Sequence, residues 1–314
     1  MKEQIIVDIG SGRTKVYGVK ADGSVIRILS TRIRLKERYN PTGEGVLEED
    51  KETLFRVINE VVAQAEGRPI NVYATSIFRV MPDDMLERFK EELLERTGVS
   101  LNVLSQEQEN KLTTLPVKNL EIDGRYCAAC IGSGSTEVAV FQDGEERKSF
   151  TTEHAKADLI KKFPELRESI CKTSPEDLRN YVRKTFDFAE VGQCDKLIII
   201  GGSGLEHAKD CGFKMEDNNV FIHKDIPARS SFESFTGETN KLLGSNGKIA
   251  NDDLELIRAH CIIASCLMEA VSAKECFMTN LNLINGIVQD IKNKEVYVNK
   301  ETLKTQAINS SRSR

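Results

Sequence analysis

Apolar residues follow strand spacing at the start of the chain and helical spacing soon afterwards. Runs rich in Val and Ile at 4–9, 14–19 and 24–35 are separated by Gly-Ser-Gly and Ala-Asp-Gly turns, which predicts a three-stranded meander. Helical spacing follows at 50–66, where five apolar residues lie on one stripe: Leu54, Val57, Ile58, Val61 and Val62. The other elements predicted for the first half are a strand at 70–75, a helix over 81–98 ending at Gly98, a strand at 100–105 and a helix over 106–117.

The second half repeats this order of elements. The predicted strands cover 125–131, 136–142, 146–151, 196–202 and 276–279, and the predicted helices cover 155–163, 175–188 and 252–273. Residues 214–250 are interpreted as polar and irregular, apart from a strand at 220–223. The tail from residue 302 carries too few apolar residues to predict an ordered element.

A glycine-rich hairpin near the start of the chain returns in its middle. The stretch at 5–19 is echoed at 126–141, and at an offset of 122 residues six of thirteen positions are identical: Ile9, Gly10, Ser11, Gly12, Thr14 and Val16. Each copy predicts a β-hairpin whose turn brings backbone N–H groups close to a ligand. Two such hairpins facing each other would hold phosphate groups. A third glycine loop, at 201–204, follows a buried strand and favours a further phosphate or nucleotide contact.

Composition restricts the class of protein. The chain has 314 residues, of which 30% are charged and 39% hydrophobic, as in a soluble globular protein with two domains. No apolar run is long enough to span a bilayer and no signal peptide precedes the first strand, so we expect a cytoplasmic protein without membrane contact. The eight cysteines are dispersed and predicted to be reduced, and the single CxxC at Cys127 and Cys130 lacks two partners at zinc spacing. A net charge of −5 argues against nucleic-acid binding, although glycine loops and a metal would still admit a polyanion.

The duplicated hairpins, each at the head of a similar run of elements, predict two related α/β domains with a cleft between them. This is the arrangement of the actin-like, or ribonuclease H-like, fold, in which nucleotides and phosphates are handled in an interdomain cleft. We expect the first domain to comprise residues 1–117 together with about 295–314, and the second to comprise 118–294.

Four segments, in a fixed order, carry a family resemblance. Asp8 to Gly12 is similar to an Asp-Ile-Gly-Ser-Asn turn, and Ala74 to Arg79 is similar to Ala-Thr-Ser-Ala-x-Arg. Leu104 to Asn110 resembles Ile-Ser-Gly-x-Glu-Glu-Ala, and Cys130 to Glu137 resembles Asp-Ile-Gly-Gly-Gly-Ser-Thr-Glu. These are signatures of the exopolyphosphatase and guanosine pentaphosphate phosphohydrolase family, which the chain therefore resembles from about residue 5 to 288.

The resemblance and the residues together predict a phosphate-hydrolysing cleft. Glu109 is the candidate catalytic base, and Asp8 and Glu137 are candidate ligands of Mg²⁺ or Mn²⁺. The predicted phosphate-binding residues are loop glycines and hydroxyl residues with one arginine: Gly10, Ser11, Gly12, Arg79, Gly132, Ser133, Gly134, Ser135, Thr136, Gly201, Gly202 and Ser203.

The departures from the family pattern bear on the mechanism. Cys130 stands where the family has a metal-binding Asp, and because a thiol is a poor ligand for magnesium, this exchange should weaken the metal site. Larger residues also replace glycine or small residues of the pattern at Gln106, Asn110 and Ser133.

Three functions are open at this point. The first is metal-assisted hydrolysis of the terminal phosphate of polyphosphate or guanosine pentaphosphate, which makes polyphosphate or a phosphorylated guanine nucleotide the expected partner. The second is a catalytically weakened family member that binds a phosphorylated ligand as a sensor or scaffold. The third is an ATP-dependent kinase of the same wider fold, supported by the glycine loops alone. A homodimer is compatible with each.

Overall fold

Two β-sheets with helices packed on them form the framework of the protein. The computed structural model describes residues 1–40, 43, 45–120, 122–168, 170–201, 214–215, 228–244 and 254–294. The strands are β1 (Gln4–Ile9), β2 (Arg13–Val19), β3 (Val25–Arg32), β4 (Ile70–Ala74), β5 (Leu101–Val103), β6 (Arg125–Ile131), β7 (Thr136–Gln142), β8 (Glu145–Thr152), β9 (Lys196–Ile200), β10 (Lys214–Met215), β11 (Ala228–Ser231) and β12 (Glu275–Met278). The helices are α1 (Leu35–Arg38), α2 (Glu48–Ala63), α3 (Ile77–Val80), α4 (Asp83–Thr97), α5 (Gln106–Thr114), α6 (Lys156–Lys162), α7 (Pro175–Phe186), α8 (Phe232–Gly244), α9 (Leu254–Ala270) and α10 (283–294).

The first sheet has the strand order β3-β2-β1-β4-β5. Its first three strands form the predicted antiparallel meander, and β4 and β5 then join in parallel after intervening helices. Helices α2 and α4 cover one face, where Phe55 and Phe89 meet with ring centroids 5.6 Å apart. On the other face, Ile284 and Ile287 of α10 pack with Ile6 of β1. The predicted domain boundaries stay predictions.

The second sheet has the strand order β10-β11-β12-β9-β6-β7-β8. It begins with the same antiparallel meander, β6-β7-β8, and β9 and β12 then add parallel strands on the other side of β6. Helix α9 is buried along nearly its whole length because α6, α7 and α8 all pack against it. The prediction of two α/β domains that each begin with the duplicated hairpin is confirmed.

Several predicted elements need correction. The third strand ends at Arg32 instead of residue 35, because a short helix begins at Leu35. The prediction that 214–250 is irregular is wrong for the strands Lys214–Met215 and Ala228–Ser231 and for the helix Phe232–Gly244. The second of these strands has no apolar alternation, and it forms because β12 supplies its partner. The strand predicted at 220–223 and the tail from 302 lie outside the described residues.

Two expectations from composition can be compared with the structure. No helix within the described ranges has both the length and the apolar character that crossing a membrane requires. The seven cysteines that the structure describes are free thiols, as their dispersed spacing predicts. Cys211 lies outside the described residues.

Candidate active site

The two glycine loops have the same local geometry. The amide of Gly10 donates to the carbonyl of Arg13 at 3.0 Å, and at the equivalent place Gly132 donates to Ser135 at 2.9 Å. Each loop is held from outside by the helix that follows the third strand of its sheet. Lys36 of α1 donates its amide to the Ser11 carbonyl at 3.0 Å, and the start of α6 binds the second loop in the same way. The duplication predicted from sequence therefore extends to the backbone hydrogen bonds.

The two loops touch each other across the cleft. A Cβ added at Gly12 would lie only 2.5 Å from the hydroxyl of Ser133, and one added at Gly134 would overlap the hydroxyls of Ser76 and Ser11. Such close approach requires glycine, because any side chain would have to push the opposite segment away. The loops are thus held together by a contact that only residues without a side chain permit.

A cavity of about 120 Å³ lies between the sheets at this contact. Its lining combines the two glycine loops with acidic, basic and thiol side chains: Asp8, Arg13, Lys15, Glu109, Cys130, Glu137 and Lys156. Gly201 lines it too, in the left-handed conformation with φ of 74°. Glycine loops with several nearby cations are typical of sites for phosphorylated ligands.

Some predicted residues lie away from the cavity wall. The hydroxyl of Thr136 is buried and donates to the carbonyl of His154 at 2.9 Å. Arg79 stands behind Glu109: its Nη1 donates to Glu109 Oε2 at 2.5 Å. In this arrangement the guanidinium is paired with the candidate base, so its predicted role as a phosphate clamp stays a prediction. Gly202 and Ser203 lie outside the described residues.

In each of the duplicated hairpins two side chains face each other at the same position of the repeat, but their chemical types differ. In the first hairpin Asp8 lies opposite Lys15, with Nζ and Oδ2 separated by 3.8 Å. In the second, the equivalent positions are Cys130 and Glu137, which lie opposite each other in the β6-β7 register. The acid and the cation of the first pair therefore become a thiol and an acid in the second. The cavity lies between these two pairs.

Burial dominates the electrostatics of the acidic groups. It raises the pKa of Asp8, against the charge of Lys15. It also raises the pKa of Glu109, although Arg79 partly offsets the effect. Burial and the neighbouring charge of Glu109 raise the pKa of Glu137 to about 8, so that this side chain, which is 1% exposed, holds a proton much of the time near neutrality.

The pKa values of the lysine and the thiol in the cavity are raised as well, which keeps Lys15 charged and Cys130 neutral. Burial lowers the pKa of Lys15, but the acidic groups of Asp8, Tyr17 and Cys130 together raise it by more, so Lys15 stays an ammonium. Burial and the carboxylates of Glu137 and Glu109 raise the pKa of Cys130 well above its usual range. Cys130 is therefore a neutral thiol at pH 7, which suits neither a nucleophile nor a hard metal.

The acidic side chains of the cavity meet part of what a divalent metal requires. Within the described parts of the chain, no group of three or more His, Cys, Asp and Glu side chains is arranged to hold a metal ion. Magnesium, however, commonly binds one or two carboxylates together with the phosphates of its substrate. Asp8 and Glu137 line the cavity and can supply such oxygens. The residues therefore fit a metal that arrives with a phosphate chain rather than a preformed cage.

Sequence reasoning missed three cations of the cavity wall, one of them Arg13, and a hydroxyl that binds Glu109. Lys15 and Lys156 line the cavity, and Thr75 hydrogen-bonds to Glu109. Lys15 could have been found, because it occupies the position of Glu137 in the repeat and so shares its orientation. Lys156 carried no such signal: it reaches the cavity because the amide at the start of α6 binds the Gly132 carbonyl at 3.3 Å.

Comparison with known proteins agrees with this geometry. A sequence model of the Ppx/GppA phosphatase family matches residues 16–187. A search of curated protein sequences finds no match for the chain. Among solved structures, an exopolyphosphatase from Cytophaga hutchinsonii has a TM-score of 0.71 at 16% identity, with 93% of this chain and 98% of that chain covered.

The Ppx/GppA family member from Aquifex aeolicus has a TM-score of 0.69 at 18% identity, again covering 93% of this chain and 98% of the other. At these identities the structural likeness shows the fold, and it confirms the predicted actin-like arrangement of two domains. The family match extends over more than half of the sequence and confirms the resemblance read from the four motifs. The chain belongs to the Ppx/GppA phosphatase family.

Proposed function

We propose that the protein is a phosphoanhydride hydrolase that removes the terminal phosphate of polyphosphate or guanosine pentaphosphate. The observation that carries this proposal is the position of Glu109. Its carboxylate lines the cavity where the two glycine loops meet, and Arg79 holds it from behind at 2.5 Å. A carboxylate fixed beside a phosphate-sized cavity is placed to act on a water molecule.

The chemistry divides between Glu109 and the cations of the cavity. Glu109 accepts a proton from water as the oxygen attacks the terminal phosphorus, and the bond from that phosphorus to the bridging oxygen breaks. The shortened chain leaves with the bridging oxygen, and inorganic phosphate is the second product. Burial raises the pKa of Glu109, which makes its ionised form a better proton acceptor. Lys15 and Lys156 are positioned to balance the charge of the phosphate oxygens.

A divalent metal is part of the proposal as a companion of the substrate. Asp8 and Glu137 would hold Mg²⁺ or Mn²⁺ together with phosphate oxygens. When bound, such an ion supplies further positive charge to the terminal phosphate. The proton transfer proposed for Glu109 needs only this chain's own carboxylate and a water molecule.

The test is phosphate release from polyphosphate and from guanosine pentaphosphate, with magnesium or manganese present. We expect Glu109→Gln to lower kcat by about a hundredfold or more, since general bases contribute about 10²–10⁴ in rate. Glu107→Gln is the matched control, because Glu107 is an exposed acid of the same helical turn. Equal rates for wild type and Glu109→Gln would refute the proposal.

A second candidate function is supported by Cys130. A catalytically weakened member would bind a phosphorylated ligand as a sensor or scaffold, and the neutral thiol at a family metal position favours it. Cys130→Asp separates the two: a large gain in phosphate release over wild type favours the weakened member. Activity of wild type as high as that of the variant removes this candidate.

Two further expectations remain part of the proposal. We place the protein in the cytoplasm, since its seven described cysteines are free thiols, the state that the cytosol maintains. Association into a homodimer also remains a prediction, and sedimentation velocity over a range of protein concentrations tests it.

A further inference from the structure

Gln106 lies in the first turn of α5, at a position where the family motif that the chain resembles has glycine. The turn is fixed by a capping box: the Ser105 hydroxyl accepts from the Gln108 amide at 3.1 Å, and the Gln108 side chain accepts from the Ser105 amide at 2.9 Å. Residues three apart on a helix share a face, so Gln106 and Glu109 project in the same direction. The cap therefore fixes the first turn of α5 so that both side chains point toward the cleft.

The side chain of Gln106 joins two residues from opposite sides of the cleft, Arg79 of α3 and Glu137 of β7. Arg79 Nη2 donates to Gln106 Oε1, and Gln106 Nε2 donates to Glu137 Oε1 at 3.2 Å. An arginine can only donate, so the amide oxygen of Gln106 must face Arg79 and its NH₂ group must face Glu137. The orientation of the amide is thereby determined by its partners. A continuous chain of hydrogen bonds runs from Glu109 through Arg79 and Gln106 to Glu137.

This chain of hydrogen bonds crosses the cleft between the two sheets. Arg79 and Glu109 belong to the first half of the protein, whereas Glu137 lies in β7 of the second sheet. Arg79 and Glu109 have side chains that are only 11% and 12% exposed, so water competes little for these bonds. A residue without a side chain at position 106 could not make the connection, because glycine offers neither the acceptor nor the donor.

We propose that Gln106 is a positioning residue that holds Glu137 against the Arg79–Glu109 pair and so fixes the relative placement of the two glutamates at the reacting phosphate. Its side chain does not line the cavity, so it acts on the reaction through Arg79 and Glu137. The inference rests on the proposed hydrolase function, since it assigns Gln106 a part in that reaction. It assigns a role to a residue at which this chain departs from the family pattern.

The experiment compares kcat and KM for phosphate release from tripolyphosphate in three variants. Gln106→Met keeps the length and volume of the side chain but removes both hydrogen bonds. Gln106→Glu keeps an acceptor for Arg79 but removes the donor to Glu137. We expect both to lower kcat by about tenfold to a hundredfold with KM changed less than about threefold, as for a lost hydrogen bond to a charged group. Glu107→Gln is the control: it changes an exposed side chain of the same turn and leaves the capping box in place.

The outcomes are distinguishable. If Gln106→Met loses no more activity than Glu107→Gln, or if Gln106→Glu is as active as wild type, the positioning role is overturned. If wild type itself releases no phosphate, the proposed hydrolase function fails, and the contact is judged by stability. Thermal midpoints of Gln106→Met, Glu137→Gln and the double variant should then be non-additive. Additive shifts would show that Gln106 does not position Glu137.

Discussion

The side chain of Lys36 donates a hydrogen bond to the backbone carbonyl of Gly134 at 2.7 Å. Its ammonium also reaches the carbonyl of Glu153 at 2.8 Å and the carboxylate of Asp158 at 3.0 Å, while its own amide donates to Ser11. One residue of α1 thus binds the first glycine loop through its backbone and the second through its side chain. Lys36 is the polar link that keeps the two loops in contact.

We expect Lys36→Met to loosen the second glycine loop. Methionine keeps the length of the side chain but cannot satisfy three acceptors, and the loss of charge-assisted hydrogen bonds costs about 1–3 kcal/mol of local stability. Hydrogen–deuterium exchange of peptides covering 132–136 and 153–158 should therefore accelerate by about tenfold or more. Lys90→Met is the control, because Lys90 forms its ion pair with Glu87, three residues earlier in α4. Unchanged exchange at 132–136 would contradict the link.

The glycine contact across the cleft leads to a second prediction. Gly134→Ala should lower the thermal midpoint, because the added methyl overlaps the hydroxyls of Ser76 and Ser11 and must force the loops apart. Overpacking of this kind costs about 1–3 kcal/mol. In Gly237→Ala, a helical site where the new Cβ meets nothing within 4 Å, the midpoint should stay or rise. Calorimetry measures the thermal midpoints of the two variants. Equal midpoints would show that the loops are not packed so closely that a methyl group at position 134 must separate them.

Sequence patterns predicted the parts of the fold in which local signals agree with the tertiary structure. The hairpins around Gly10 and Gly132 could be predicted because apolar runs flank each turn and the two copies support each other. Helix α10 was missed although Ile284, Ile287 and Val288 show helical spacing. Helix α8 was harder, since its sparse apolar residues are buried only in the tertiary structure, mainly by packing on α9.

The residues of the candidate site also fall into those that the sequence could predict and those that it could not. The resemblance predicted Asp8, Glu109 and Glu137, and the structure brings all three to one cavity. It could not predict that Gln106 bridges Arg79 to Glu137, because this contact joins two helices of the first half of the chain to a strand of the second sheet. Such contacts depend on how two sheets face each other, which no local spacing encodes.

Cys130→Asp should make the stability of the protein depend on a divalent metal. The new carboxylate joins Asp8, Glu109 and Glu137 around one cavity, where like charges and burial both disfavour ionisation. We expect a lower thermal midpoint in a chelator and a larger rise on adding Mg²⁺ than wild type shows. Cys130→Asn, which has the same shape without the charge, should respond like wild type. A magnesium shift of equal size in all three proteins would contradict this metal site.

His260 provides a prediction of pH dependence outside the loops. It lies in α9, is 7% exposed, and its Nε2 has no hydrogen-bond partner among the described residues. Burial, together with the charge of Lys156, lowers its pKa to about 3, whereas an unfolded histidine titrates near about 6.5. Above pH 6.5 the imidazole is neutral in both states and no stability is lost. As the pH falls below that value the unfolded chain binds a proton that the native state refuses, so stability declines by about 1.4 kcal/mol per pH unit.

His260→Gln removes this titration while keeping a polar side chain of similar size. Between pH 7.5 and pH 5.0, wild type should therefore lose about 2 kcal/mol more of its unfolding free energy than the variant, since about 1.5 pH units of that interval lie below the unfolded pKa. Urea unfolding at the two pH values measures the difference. Parallel losses in the two proteins would mean that His260 takes up a proton in the native state, and the packing of α9 against Lys156 would then have to be looser than the structure has it.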